Sequence, residues 1–377
     1  MNHFYIGRPS HSVGFIAGSF NESVRKVIVD DGYAYVFGFF TTYRGIDAKY
    51  MAKISIATGN LDSTFNVSTG FNGPVLDAVL DGGYLYIVGG FESYKGTTRN
   101  GIAKVSTTDA SVDSGFNSAT AFNRGSELPD RIAISGSYLY VIGSFFTYKG
   151  TSRGGIAQIS KTDASLGSYF SGTGFNMSAD CLTVDGTDLY VAGAFDTYTN
   201  TSGLTGLAKF DLTSGSLVTD GWDTGLFTEI PTRYPYSILC VGNYLYLVGN
   251  FTTYKGTTRN GIVKVSKSTA AMDATFDPAT GFASGPLALA SDGTDLYAGG
   301  GFTSYNGTSA VRVAKLSLSD ASIDESFTTA TGANSTVRTL ALGGSSLFIG
   351  GDFTTFKGAV RNRMTRVSSS DATNNSY

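Results

Sequence analysis

The sequence predicts an all-β fold made of seven copies of one antiparallel unit, and three observations carry that expectation. An aromatic followed three residues later by Tyr or Phe recurs as Phe40 with Tyr43, Phe91 with Tyr94, Phe145 with Tyr148, Phe195 with Tyr198, Phe251 with Tyr254, Phe302 with Tyr305 and Phe353 with Phe356. The second anchors lie 51, 54, 50, 56, 51 and 51 residues apart, and a period near fifty held from end to end marks a repeat architecture. No stretch sustains a 3.6-residue apolar period, and Gly supplies 49 of 377 residues, which disfavours helix outside short turns.

Residues 75–117 show the elements of one copy in order. Residues 75–80 are a short apolar strand, and Asp81-Gly82-Gly83 turns the chain because Gly accepts positive φ without a Cβ clash. The aromatic and β-branched run at residues 84–88 is a second strand, closed by Gly89-Gly90, where backbones approach. Residues 95–101 have loop chemistry, residues 102–105 form a third strand, and Thr107-Thr108-Asp109 turns the chain again. Residues 111–116 make a weak fourth strand, so each copy is one four-stranded antiparallel blade.

A solenoid needs end repeats of distinct composition, and here the first and last copies look like the middle ones. A closed ring needs no such caps. The expected architecture is therefore a single seven-bladed β-propeller over residues 13–377, preceded by an amino-terminal arm at residues 1–12. The last copy runs through Val367 and Asp371 to Tyr377 without a clear fourth strand. Residues 16–21 align with residues 61–66, the fourth strand of the first blade. An amino-terminal strand is thus expected to complete the seventh blade and close the ring, removing two open sheet edges.

The unit resembles the delta-sixty family of β-propeller repeats. The resemblance rests on Tyr-Lys-Gly-Thr-Thr-Arg-Asn-Gly-Ile-Ala-Lys-Val at residues 94–105 and its near-copy at 254–265. A downstream Val/Leu-Asp-x-x-Phe element, as in residues 61–65 and 323–327, belongs to it as well. It spans nearly the whole chain; the fourth copy departs most, with Thr199-Asn200 in place of Lys-Gly. The resemblance implies a propeller and no shared catalytic activity.

Composition narrows the chemistry. His3 and His11 are the only histidines and both precede the repeats, so a His-dependent triad or a His/Cys zinc site in the repeat body is excluded. The acidic turns at residues 185–188 and 292–295 lack the spaced ligands of a calcium loop and read as ordinary β-turns. No metal or cofactor is expected, and the chain is not expected to be an enzyme. A net charge of −3 with 15% charged residues leaves no nucleic-acid footprint. No apolar run is long enough for membrane insertion, and the first residues lack the apolar core of a signal peptide. Cys181 and Cys240 fall at non-equivalent positions of neighbouring blades, Cys181 matching Ser237 and Cys240 matching Val184, and are expected as free thiols.

Binding residues are sought where the repeat is broken. Lys95, Lys149, Lys255 and Lys357, with Arg99, Arg153, Arg259 and Arg361, recur at fixed positions and are expected to pack on local Tyr rings or bond loop carbonyls. The long connections between second and third strands, and between blades, emerge on one face, where ligand variety is expected. The two largest insertions, residues 121–130 and 222–236, lie there. Trp222, Phe227, Arg233, Tyr234 and Tyr236 combine aromatic and basic character and are the candidate partner-binding set. Glu127 and Glu229 join it, and would be the carboxylates of a glycoside hydrolase. In the arm, Phe4, Tyr5 and Ile6 are candidates for anchoring to a neighbouring subunit.

These features favour a non-catalytic binding or assembly module. The leading expectation is a structural or adhesive component of a bacteriophage particle, in receptor binding or decoration, located on a virion or extracellular surface. Its partners would be protein subunits of a larger assembly or cell-surface glycan. A lectin-like glycan binder, an intracellular protein-interaction platform and a carboxylate-dependent glycoside hydrolase stand as alternatives.

Overall fold

The computed structural model describes residues 20–122, 128–222, 227, 230, 232–327 and 331–374. Every regular element among the described residues is a β-strand. Among the described residues the longer strands group into seven antiparallel sheets of three or four strands that repeat one order, each with a two-stranded hairpin between its second and third strands, and the second sheet is typical. Val75–Asp81 pairs with Tyr84–Gly89, which pairs with Ile102–Ser106. The fourth strand is reduced to one bridge, Val105 with Val112, as in Ile54 with Leu61 and Leu316 with Ile323; in the fourth sheet it is the short strand Ser216–Leu217. The predicted all-β repeat of four-stranded units is thus present, with a weak outer strand.

Backbone conformation explains the motifs. Gly82 and Gly83 sit at φ 56° and 79° between the paired residues Asp81 and Tyr84, the two positive values that a tight hairpin turn requires. The Lys-Gly motif does the same in the second connection. Ser93–Tyr94 pairs with Thr97–Thr98 across Lys95 and Gly96, at φ 47° and 76°.

The aromatic anchors are buried, and a third ring completes six of the seven sets, with Ala333 in its place in the seventh. Phe71 bridges Tyr94 and lies 4.4 Å from the rings of both Phe91 and Tyr94. Tyr94 donates its hydroxyl to the Ala110 carbonyl at 2.8 Å, a bond repeated by Tyr43, Tyr148, Tyr254 and Tyr305. The seventh copy lacks that hydroxyl at Phe356, and Lys357 Nζ donates to the Ala372 carbonyl instead, at 2.8 Å. The Val/Leu-Asp-x-x-Phe element also has a physical basis. Asp62 pairs with the buried Lys53 at 2.8 Å, and Phe65 meets the Tyr35 ring edge-on at 5.9 Å.

Hydrophobic clusters lie between sheets rather than within them. Tyr35 and Phe37 of the first sheet join Leu85 and Ile87 of the second; Val24 and Val36 of the first join Phe348 and Met364 of the seventh. A recurrent bond runs from each sheet to the turn carbonyl of the next. Tyr246 donates to Leu318 O at 2.8 Å, Tyr297 to Ser369 O at 2.9 Å, and Arg366 of the seventh sheet to Ile56 O of the first at 3.3 Å.

The expected strand exchange at the ends needs correction. Phe20 bridges Tyr43 and packs on Phe40, as Phe71 bridges Tyr94 and packs on Phe91. The Asn21 side chain accepts the amides of Thr41 and Thr42, as Asn72 accepts those of Glu92 and Ser93. Residues 20–21 are therefore the counterparts of 71–72, not of 65–66. The last sheet takes its outer bridge from its own copy, Val367 with Asn374. The misalignment arises because Phe-Asn occurs twice in the first connection, at 65–66 and again at 71–72. The arm, including Phe4, Tyr5 and Ile6, lies outside the described residues.

Candidate ligand site at the mouth of a central cavity

The first strand of every sheet begins with a bulge at one equivalent position. The register slips between Val24 and Lys26, Val75 and Asp77, Pro129 and Arg131, Ala179 and Cys181, Pro235 and Ser237, Pro286 and Ala288, and Val337 and Thr339. A glycine faces each bulge because the backbones nearly touch: a Cβ on Gly89 would lie 2.3 Å from the Pro74 carbonyl oxygen. The extra residue in each strand is Arg25, Leu76, Asp130, Asp180, Tyr236, Leu287 or Arg338. A bulge re-aims its side chain, and such features concentrate at functional sites.

A cavity of about 260 Å³ is lined by the first strands of all seven sheets. A second space, of about 160 Å³, is bounded by six of these bulge residues together with Arg131. It opens where the inter-sheet connections arrive, since each first strand starts there.

The charges here are unevenly committed. Arg338 holds Asp352 Oδ2 through Nε at 2.7 Å and Nη2 at 2.6 Å, and Ser23 donates to the other carboxylate oxygen at 2.5 Å. Arg131 Nη1 donates to the Asp130 carbonyl at 2.9 Å. The Arg25 guanidinium lies 4.6 Å over the Phe39 ring and has no hydrogen-bond acceptor among the described residues. Burial, and then the charge of Arg338, lower the Arg25 pKa, with Asp352 opposing. Burial pushes the Asp130 carboxyl up to about 6; Arg131 opposes the shift and Asp180 adds to it. Burial also raises Asp180, against a 2.9 Å hydrogen bond from Ser178. Below the mouth, Lys26 pairs with Asp77 at 2.8 Å, and Asp77 also accepts the Ile132 amide of the third sheet at 3.2 Å.

The sequence-derived candidates separate. Tyr236 is a bulge residue that lines the mouth, and Tyr234 packs edge-on against it at 5.2 Å. Burial raises both hydroxyls, and the Asp180 charge contributes to each shift. Arg233 is exposed and borders a separate groove with Asn250 and Ser284. Trp222 and Phe227 are corrected to core residues. Trp222 is 3% exposed and stacks 5.6 Å from Tyr190, taking the place of Phe65; Phe227 is fully buried against Phe251, taking the place of Phe71. Glu127 and Glu229 lie outside the described residues.

Sequence reasoning missed Arg25, Asp130, Arg131, Asp180 and Arg338. Their signal is a column of the seven copies reading Arg, Leu, Asp, Asp, Tyr, Leu, Arg, directly after a column of Val, Pro or Ala. The repeated basic residues behave as local packing. Lys95 lies 5.5 Å over Tyr94, and Arg99, Arg153 and Arg259 each donate to the preceding carbonyl. Both cysteines are free thiols, and the strand registers bear out their predicted offsets. Among the described residues no three His, Cys, Asp or Glu side chains are grouped to hold a metal ion. Among the described residues no helix is long and apolar enough to cross a membrane.

The fold is that of β-propeller proteins. Residues 291–327 match the family described as "Domain of unknown function (DUF5122) beta-propeller". The computationally designed Ika8 protein superposes with a TM-score of 0.57 at 11% identity, over 94% of this chain and 99% of that one. The WD40 β-propeller domain of Doa1 does so with a TM-score of 0.54 at 12% identity, over 93% of each chain. No curated protein matches the sequence. At such identities the likeness concerns the fold alone.

Proposed function

We propose that the chain is a seven-bladed propeller whose seventh blade packs non-covalently on its first, acting as a non-catalytic binding module with its ligand at the cavity mouth. The shared cluster of Phe348 and Met364 with Val24, and the Arg366 bond to Ile56, support the ring. One observation carries the functional reading. Where most equivalent positions repeat their chemistry to serve blade geometry, the bulge column varies freely and six of its seven residues converge on one space. Filling the mouth by Leu287→Trp should abolish binding on a glycan array and in peptide panels while leaving thermal melting unchanged. Retained binding by this folded variant would move the site elsewhere.

Display on a bacteriophage particle or another extracellular surface is part of the same proposal. Mass spectrometry of purified particles from the source tests it, and the protein's absence from them would remove that setting. A hydrolase reading is favoured by a different pair from the one expected: Asp130 and Asp180 are two carboxyls with raised pKa, close enough for the charge of Asp180 to act on Asp130. Turnover of aryl glycosides, lost in Asp130→Asn, would favour this second reading; a flat panel would end it.

A further inference from the structure

The mouth is asymmetric in a way that selects a ligand. Arg25 and Arg338 come from the first and seventh sheets and Arg131 from the third, while Asp130 and Asp180 come from the third and fourth. Arg338 is committed to Asp352, and Arg131 uses one N–H on a backbone carbonyl. Arg25 differs from both. Its Nε is buried without a partner, as are those of Arg99, Arg153 and Arg259, but those three each donate through Nη1. Arg25 makes no hydrogen bond to any described residue, and Phe39 supports one face of its plane. A guanidinium held flat by an aromatic ring presents its donor edge as a fork, which fits the two oxygens of a carboxylate.

Charge and size restrict the class further. Arg25, Lys26, Arg131 and Arg338 are opposed by Asp77, Asp180 and Asp352, which leaves one positive charge, so the site suits one negative charge rather than a polyanion. Asp180 is an acceptor for hydroxyl groups, and the Tyr236 ring offers an apolar face. The mouth, of about 160 Å³, and the cavity of about 260 Å³ beside it each fall below the ~300 Å³ at which pockets for larger ligands begin, which admits one ring or the end of a chain.

We propose that the mouth binds an acidic sugar ring, its carboxylate on Arg25, its hydroxyls toward Asp180, and its C–H face against Tyr236. This rests on the reading of the mouth as the binding site. Calorimetry with glucuronate and N-acetylneuraminate should show binding at least about tenfold tighter than with glucose, as the loss of charge-assisted hydrogen bonds implies. Arg25→Ala should lose about tenfold or more, and Arg25→Lys should recover only part because it lacks the fork. Both variants should melt as the parent does, since Arg25 bonds nothing in the fold. Equal binding of glucose, stronger binding of inorganic phosphate, or full acidic-sugar binding by Arg25→Ala would overturn the proposal. If acidic sugars fail but another ligand is blocked by Leu287→Trp, the mouth stands as a binding site and only the ligand class falls.

Discussion

Removing the Asp62 carboxylate should cost the fold about 2–4 kcal/mol, because it strands a buried ammonium. Lys53 Nζ and Asp62 Oδ2 are 2.8 Å apart, with both side chains 9% exposed. Burial alone would raise the Asp62 pKa, yet hydrogen bonds from Lys53 and Thr64 hold it down to about 2, from an ordinary 3.8. At ~1.36 kcal/mol per pKa unit, that depression amounts to about 2.5 kcal/mol. In Asp62→Ala, Lys53 would keep the Thr107 carbonyl at 3.1 Å and the Tyr33 ring at 4.1 Å, so the loss should stay below the top of the buried-pair range. The chain carries its own control. In the third copy Gln158 occupies the Lys position and Gly167 the Asp position, and a Cβ on Gly167 would meet the Gln158 amide oxygen at 2.1 Å. Lys53→Gln with Asp62→Gly should therefore return to within about 1 kcal/mol of the parent, since a neutral pair strands no charge. Urea unfolding at pH 7, comparing midpoints at constant slope, measures both. Because the folded-state pKa is depressed, the pair's contribution is complete above about pH 4 and lost as pH falls through about 2, so parent and variant should converge in acid. An Asp62→Ala midpoint equal to the parent's, or a double variant as weak as the single one, would refute the reasoning.

Three further outcomes follow from the same geometry. Asp130→Asn should stabilise the protein at pH 7.5: a raised folded-state pKa means the charged form burdens the fold above about 6, and the burden vanishes below about 4. Asp130 is partly exposed, so the gain should be about 1–2 kcal/mol at pH 7.5 and nil at pH 4; a gain independent of pH in thermal melts would contradict this. Trp222→Ala should cost about 3–5 kcal/mol as a core truncation, and unchanged melting would return Trp222 to the surface. Tyr254→Phe should cost about 1–3 kcal/mol by leaving the Ala270 carbonyl without its 2.6 Å bond, and a neutral result would show that the carbonyl finds another donor.

The repeat was legible because its anchors are large aromatics at fixed spacing, and burying such rings is what the fold most needs. Its hinge points were less so. Phe20 was assigned to the wrong strand because two Phe-Asn pairs serve different roles six residues apart, one against the Tyr35 position and one against the Tyr43 position. Trp222 looked exceptional as the sole Trp, whereas its spacing of five from Phe227 matches that of Phe170 from Phe175. A substitution within a repeat column was thus mistaken for a departure from the repeat.

The site was hidden for a different reason. A strand read at period two assigns alternate residues to opposite faces, and a bulge inserts one residue and reverses the assignment beyond it. Arg25 and Arg338 then look like solvent-facing residues of two ordinary strands, 313 positions apart. Only the radial arrangement brings them within electrostatic reach across one space. The bulge is fixed by geometry that repeats, with a glycine opposite and Val, Pro or Ala before it, so the side chain it turns inward is not needed for folding. That freedom makes the column variable. In a repeat protein, the residues most open to functional choice are therefore those at a repeated backbone irregularity, which is why the proposed ligand class is argued from the chemistry collected there.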